Sequence, residues 1–279
     1  MRRLATHLPT LLTLTIAIAL LLHGPVPQWP DYHEFADGRA FAGIPRAADV
    51  LSNLGFALVG IWGFVALARR GRRQSLGNAW PGYTLFFVAL VLTALGSGFY
   101  HLQPDNARLV WDRIPIALAC AGLLSGVRAD THEKGDPRLL TLVLAVAAIA
   151  SVLWWYVTET FGHGDLRPYL FLQLSPMLLV PLWQALARAP RNDRLAFGAA
   201  ILLYIVARAA ELNDVAVFGA LGWISGHTIK HLLATCAAAV IVAHLVARDT
   251  RPEATPAAPP HRRRGAALSG LARSRGEGQ

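Results

Sequence analysis

The sequence predicts an all-α protein, built as a polytopic membrane helix bundle. Of its 279 residues, 54% are hydrophobic and 15% are charged, whereas soluble globular domains carry about 25% charged residues. Eight apolar runs also approach the roughly 20 residues that a helix needs to cross a bilayer. The connections between these runs are short, so we expect the helices to pack as one compact bundle.

The eight predicted spans follow one another along the chain, and no repeat of fixed period relates them. Each consists mainly of aliphatic, alanine and aromatic residues, as expected for helices that face lipid. The spans cover residues 8–23, 47–68, 81–101, 109–127, 138–158, 169–187, 195–212 and 219–247.

The distribution of Lys and Arg predicts the orientation of the spans, because cytoplasmic loops carry an excess of these residues. With the N-terminus inside, 19 of the 26 Lys and Arg residues fall in cytoplasmic segments and five fall outside. Arg208 and Lys230 lie within spans. We therefore expect both termini in the cytoplasm, and the composition favours a bacterial inner membrane. Positive loops also explain the net charge of +9, so this charge does not indicate nucleic-acid binding.

The two ends of the chain are expected to flank a membrane domain of residues 30–247. Residues 1–29 are predicted to form an anchor helix, with a signal-like segment as the alternative. His23, Gly24 and Pro25 end the apolar run where a cleavage site would need small residues, which favours the anchor. Residues 248–279 combine repeated Pro with Arg and cannot bury a core, which predicts a disordered basic cytoplasmic tail.

Five polar residues are predicted to converge at the outer ends of three spans. Ser97 and His101 are four residues apart and therefore share one face of the third span. Asp112 lies near the start of the fourth span, and His227 and His231 are four apart near the outer end of the last. Alternation of the spans places all five at one depth, and ionisable residues inside a membrane bundle usually serve function.

The residue types at these positions suit a zinc site. Two His on one helix and a third from a neighbouring helix give three protein ligands, which leaves the fourth tetrahedral position for water. Zinc lowers the pKa of such a water to about 7. Asp112 could then act as general base and acid, and Ser97 could donate a hydrogen bond to the developing oxyanion.

Other interpretations of the same residues stay open from the sequence. A single intramembrane His is often only a hydrogen-bonded packing residue. Haem is a second alternative, with His101 and one of the last pair binding iron from opposite faces. A transporter is less favoured, because the polar residues lie at one depth and do not trace a path across the membrane.

Four stretches in this order resemble the alkaline ceramidase family, within the membrane-hydrolase group that includes the progestin and adiponectin receptors. They are DVLSN at 49–53, GSGFYH at 96–101, WDRIP at 111–115 and SGHTIKH at 225–231. The resemblance spans residues 30–247 and implies a seven-helix core, with the first run as one extra N-terminal helix. It also implies that His101, His227 and His231 bind zinc while Asp112 and Ser97 serve catalysis.

The resemblance implies a zinc-dependent hydrolase that cleaves the amide of ceramide or a ceramide-like lipid, with the membrane lipid as its partner. A receptor or sensor that keeps the zinc without turnover is the alternative, and the oligomeric state stays open. The family also binds calcium through an acidic N-terminal segment, for which Asp31, Glu34 and Asp37 offer oxygen ligands. Arg46 and Tyr32 depart from that family's calcium pattern.

Overall fold

The computed structural model describes residues 2–68, 76–132 and 134–249, and within these residues it is helical with no strands. The all-α prediction is therefore confirmed. The helices are α1 (Arg2–His23), α2 (Ala47–Ser52), α3 (Leu54–Ala68), α4 (Trp80–Leu102), α5 (Asn106–Thr131), α6 (Pro137–Thr160), α7 (Arg167–Leu186), α8 (Arg191–Leu212), α9 (Asp214–Leu221) and α10 (Gly226–Asp249).

Among the described residues, seven segments are long and apolar enough to cross a membrane. They are α2 with α3, and then α4, α5, α6, α7, α8 and α10. The apolar part of α1, His7–His23, is shorter than these seven. The chain is thus a polytopic membrane bundle with an additional N-terminal helix. The predicted tail from residue 250 onward and the basic loop at 69–73 lie outside the described residues.

Two predicted spans differ in detail from the helices that form. The run at 47–68 is interrupted at Asn53, whose side-chain amide donates to the Asp49 carbonyl oxygen over 2.7 Å. The run predicted at 219–247 begins only at Gly226. The first residues of the predicted run belong to α9, which is followed by Gly222. The φ of Gly222 is +74°, a left-handed conformation that glycine adopts without strain at a helix end. An apolar run alone does not reveal such interruptions.

Helices α4 and α5 form the centre of the bundle and approach each other through glycines. A Cβ at Gly82 would overlap the backbone of Gly126, and one at Gly122 would overlap the backbone of Phe86. Gly122 and Gly126 are four apart, the spacing of small residues that lets membrane helices pack closely. Further along, Gly96 packs against the Trp111 carbonyl group. This last contact sets the distance between the polar ends of the two helices.

The loop between α1 and α2 is anchored to the bundle by a buried arginine. The Arg113 guanidinium lies 4.0 Å from the Trp155 ring centre, 5.0 Å from that of Tyr32 and 5.3 Å from that of Tyr169. It also donates a hydrogen bond to the Gln28 side chain. Aromatic faces stabilise a desolvated cation, so this cage attaches the loop to α5, α6 and α7.

A second polar cluster joins the other ends of the helices. Arg248 on α10 pairs with Asp130 of α5 at 2.9 Å, and Tyr83 of α4 donates to the same carboxylate at 2.6 Å. His244 of α10 contacts Asp193 of α8 at 2.9 Å. Since these groups satisfy one another away from the histidines of the predicted site, we assign them to structure.

Asp165, between α6 and α7, is expected to stabilise the fold in a pH-dependent way. Its carboxylate accepts hydrogen bonds from Arg167 and Trp154, and the bonds to Arg167 lower the pKa of Asp165 to about 2. A lowered folded-state pKa contributes stability above about pH 4 that is lost as the pH falls through about 2. Asp165→Asn should therefore cost about 2 kcal/mol at pH 7.

Thermal unfolding of the detergent-purified protein measures this cost. The midpoint of Asp165→Asn should fall below that of the wild type at pH 7, and the gap should close as the pH approaches 2. Asp31→Asn, a change at an exposed carboxylate, serves as control and should match the wild type. A gap of equal size at both pH values would contradict the ionic account.

The close approach at Gly96 yields a matched pair of variants within one helix. A Cβ at Gly96 would overlap the Trp111 carbonyl oxygen, whereas a Cβ at Gly98 meets no atom within 4 Å. Gly96→Ala should cost about 1–3 kcal/mol through overpacking, and Gly98→Ala should gain up to about 1 kcal/mol from helix propensity. Thermal midpoints compare the two, and equal midpoints would show that α4 and α5 are not packed as described.

Candidate metal centre

Three buried histidines meet at one end of the bundle. His101 lies in the last turn of α4, and His227 and His231 lie on successive turns at the start of α10. One nitrogen from each ring can be chosen so that all three lie within 4.8 Å of one another. Among the described residues this is the group of His, Cys, Asp and Glu side chains that could hold a metal ion.

The ring nitrogens of this His triad, His101, His227 and His231, are oriented by their neighbours. The Nε2 atoms of His101 and His227 face each other at 3.2 Å. His231 Nδ1 lies 2.8 Å from Ser52 Oγ and 3.4 Å from Asn53 Nδ2, which leaves its Nε2 directed to the triad. Hydrogen bonds on the far nitrogen of a ligating imidazole fix its ring orientation and tautomer.

Ser52 and Asn53 are themselves held by the break between α2 and α3. Both side chains donate to the carbonyl oxygen of Asp49, over 3.1 and 2.7 Å. The Asp49 carboxylate is fully buried and accepts from the Thr228 hydroxyl at 2.6 Å. The DVLSN stretch thus supports His231 from behind, a positioning role that its place in the sequence did not reveal.

A charged cluster borders the triad on the side of α8. Glu211 accepts from Lys230 Nζ over 3.0 Å, pairs with Arg208, and lies 3.7 Å from His227 Nδ1. Lys230 Nζ is also 3.1 Å from His227 Nε2. A carboxylate near the outer nitrogen of a histidine is typical of metal sites, where it raises the basicity of the ligand.

Asp112 and Ser97 lie beside the triad, where α4 and α5 are closest. The Ser97 hydroxyl interacts with the Asp112 carboxyl group, and both side chains are buried. Asp112 Oδ1 finds no hydrogen-bond partner among the described residues. Gly96, the residue before Ser97, allows this proximity, because any side chain there would push α5 away. A free carboxylate oxygen in a buried site is available to a water molecule or a bound ligand.

A cavity extends from these polar groups into the interior of the bundle. Ser97, Asp112, Lys230 and His231 line its polar end, together with Glu211. The remainder of its wall is mainly apolar and comes from α3, α4, α5, α7, α8 and α10. Representative apolar lining residues are Phe56, Phe86, Leu90, Ile116, Val180, Phe197 and Ile241. The shape and lining suit a ligand with a hydrocarbon chain and a polar end.

The loop before α2 covers the triad on its other side. The Phe35 ring centre lies 4.8 Å from that of His101 and 4.4 Å from that of His227. His33 fastens the loop through contacts of 2.9 Å with both the Tyr100 hydroxyl and the Asn106 amide oxygen. The triad is therefore shielded by an aromatic ring above it, while the cavity reaches it from the interior of the bundle.

Asp214 connects this loop to the helix that carries two of the histidines. Its carboxylate accepts from the backbone N–H groups of Ala36, at 2.9 Å, and His227, at 2.7 Å. The second bond caps the start of α10, where an acidic group also interacts favourably with the helix dipole. Gly226 permits the close contact of α10 with the Ala210 carbonyl oxygen. Asp214 did not stand out in the sequence, and Gly226 appeared there only within the SGHTIKH stretch.

The acidic residues considered for calcium do not gather into a site. Arg39 donates to both carboxylate oxygens of Asp37, at 2.8 Å each, and these bonds lower the pKa of Asp37. Asp31 and Glu34 are exposed, and among the described residues they form no group of three ligands with Asp37. The structure therefore lends no support to the calcium prediction, because an arginine occupies the one buried carboxylate.

The haem alternative conflicts with the geometry of the triad. Binding iron from opposite faces would place a porphyrin between His101 and one histidine of α10. The facing nitrogens of His101 and His227 are 3.2 Å apart, and Phe35 packs against both rings. The three rings converge on one small volume, which fits a single ion.

Comparison with known proteins adds no assignment to this geometry. No family model matches the chain, and no curated protein matches it.

The triad should bind one divalent transition metal, since imidazole nitrogens suit these ions. Purified protein titrated with Co²⁺ should develop the visible absorption of a tetrahedral complex. His101→Ala, His227→Ala and His231→Ala should abolish it, and Ser52→Ala should weaken binding by about 10-fold through loss of ring orientation. His163→Ala removes an exposed histidine outside the triad and is the control. Retention of the spectrum in all three triad variants would exclude this metal site.

Proposed function

We propose that the protein is a zinc-dependent membrane hydrolase that cleaves a lipid amide. The observation that carries this proposal is the unpartnered carboxylate oxygen of Asp112 beside a triad of buried imidazoles, at the polar end of an apolar cavity. Metal ligands, a general base and a hydrocarbon-binding cavity are the parts that such a reaction needs.

The donor set fits zinc in type, and one pair of its nitrogens also has the spacing that zinc requires. Two nitrogens bound to one tetrahedral zinc, each at about 2.0–2.1 Å, stand about 3.3 Å apart, close to the 3.2 Å between His101 Nε2 and His227 Nε2. Three protein ligands rather than four are typical of catalytic zinc sites. When bound, zinc would polarise a carbonyl group and supply a water of lowered pKa.

We assign proton transfer, positioning and binding of the acyl chain to side chains of the protein. Asp112 accepts a proton from the attacking water through its free oxygen and returns it to the amide nitrogen as the C–N bond breaks. Ser97 holds the Asp112 carboxyl group in position through their mutual contact. The apolar wall binds the acyl chain and limits the access of bulk water, which strengthens these polar interactions.

The lipid amide as substrate follows from the resemblance to alkaline ceramidases and from the cavity. His231 of the triad lines the polar end of the cavity with Asp112, and the apolar part accommodates a hydrocarbon chain, so a bond at the junction of chain and headgroup would lie beside the triad. Ceramide or a ceramide-like lipid has its amide at this junction. A receptor that retains structural zinc is the second candidate, but a closed site would call for a fourth protein ligand.

The orientation is part of the same proposal. The excess of Lys and Arg in alternate segments supports a cytoplasmic N-terminus and C-terminus. The triad would then lie toward the extracytoplasmic face of the membrane. Cysteine introduced at Asp31, which is exposed at this end of the molecule, should react with a membrane-impermeant maleimide in intact cells.

The central test combines metal content with turnover. Wild-type protein in detergent should contain about one equivalent of zinc and release fatty acid from N-dodecanoyl sphingosine or another N-acyl lipid in a panel. Asp112→Asn should keep the zinc and lower kcat by about 10²–10⁴-fold, because only proton transfer is lost. Elemental analysis and mass spectrometry of released fatty acid provide the two measurements.

Matched variants separate the parts of this proposal. Asp31→Asn changes an exposed acid in the loop and should leave both zinc and rate unchanged, which also tests for a calcium role. His227→Ala should lose zinc and activity together. Zinc-loaded protein that hydrolyses no N-acyl lipid in the panel, or an Asp112→Asn variant with the wild-type rate, would rule out the hydrolase.

A further inference from the structure

Lys230 is a largely buried cation placed between two histidines of the triad. It lies three residues after His227 and one before His231, and its side chain lines the polar end of the cavity. Its Nζ atom is 3.0 Å from Glu211 Oε1 and 3.1 Å from His227 Nε2. Asp112 lines the same cavity.

Pairing with Glu211 does not by itself explain why the Lys230 ammonium group is placed beside the cavity. Arg208 already pairs with the same carboxylate from the same helix. Desolvating an ammonium group is costly, and Glu211 is shared with the more exposed Arg208. Lysine has three N–H donors. Glu211 accepts one, His227 Nε2 lies within reach of a second, and the third can be used in the cavity that the side chain lines.

The Lys230 ammonium group is placed where it can contact the carbonyl oxygen of an amide bound beside the triad. Asp112 and the His triad define the water side of the reaction, and Lys230 lines the same cavity as Asp112 and His231. Ser97, the donor expected from the sequence, lines the same cavity but carries no charge. A positively charged donor in a water-poor site is an effective partner for an oxygen that gains negative charge.

We propose that Lys230 is a further catalytic residue that donates a hydrogen bond to the scissile carbonyl oxygen and then to the carboxylate product. This proposal rests on the hydrolase function above. The water oxygen bonds to the carbonyl carbon, and the carbonyl π electrons move onto the oxygen that Lys230 contacts. When they return, the C–N bond breaks and the nitrogen takes the proton that Asp112 removed from the water. The carboxylic acid gives its remaining proton to the amine, so the products are a fatty acid carboxylate and an ammonium ion.

A catalytic Lys230 also predicts which ligands the cavity binds. A single-chain carboxylate should place its hydrocarbon tail along the apolar wall and its oxygens against Lys230. Fatty acid is therefore expected to bind as a product even when no reaction takes place. A fatty alcohol of equal length lacks the charge and should bind more weakly.

The experiment compares Lys230→Met with Lys134→Met, which alters the other lysine of the chain, at an exposed position in the α5–α6 connection. Zinc content, kinetics on N-dodecanoyl sphingosine, and calorimetric binding of dodecanoate and dodecanol are measured for each. Lys230→Met should retain zinc, lower kcat by about 10²–10³-fold with little change in KM, and weaken dodecanoate binding at least about 10-fold while sparing dodecanol. Lys134→Met should match the wild type.

A double variant distinguishes catalysis from a purely structural ion pair. Lys230→Met with Glu211→Gln is compared with Glu211→Gln alone, because Glu211 also pairs with Arg208 and lies 3.7 Å from His227 Nδ1. A stable double variant that is slower than Glu211→Gln supports the proposal, as does partial rescue of kcat and dodecanoate binding by Lys230→Arg. A double variant with the rate and dodecanoate affinity of Glu211→Gln alone would overturn it.

The two proposals fail in different ways. Wild-type protein without zinc or turnover contradicts the hydrolase function. Wild-type turnover together with an unchanged rate and unchanged dodecanoate affinity in Lys230→Met contradicts only the role of Lys230. Dodecanoate binding needs no reaction, so it reports on the lysine independently of catalysis.

Discussion

The close packing of α4 against α5 is the constraint on which the rest of this structure depends. Glycines at 82, 96, 122 and 126 bring the two backbones into contact along the membrane-spanning length. In a membrane, where no hydrophobic effect drives helices together, such packing supplies much of the association energy. It also brings Ser97 and Asp112 together and holds His101 at the same depth, so the site follows from how the helices pack.

A second layer of organisation comes from the cost of burying polar groups. The Ser52 hydroxyl oxygen satisfies the outer nitrogen of His231 and is itself held by the Asp49 carbonyl oxygen, and Glu211 stands behind His227. Each of these contacts reduces the energetic penalty of an imidazole inside the bundle. The same contacts preset the ring orientations, which lowers the entropy cost of binding a ligand at the triad.

The site is covered on one side and faces a cavity on the other. Phe35 and the loop anchored through Arg113 and His33 close it at the end of the bundle. The cavity reaches it from the interior instead, with a mainly apolar wall. A ligand in the cavity would therefore contact a mainly apolar wall before it reached the polar groups. The apolar surroundings screen charges weakly, so electrostatic interactions within the charged cluster around Glu211 and Lys230 are strong.

The sequence by itself determined the all-α membrane bundle, most span positions and the three histidines, because hydropathy and helical spacing are local properties. Only the tertiary structure decided the partners of those histidines. Asp49, Ser52 and Asn53 act through a helix break, and Asp37 is paired with Arg39 rather than free for calcium. Such contacts join residues from separate helices or depend on local backbone geometry. Their distances are set by helix packing, which no run of neighbouring residues encodes.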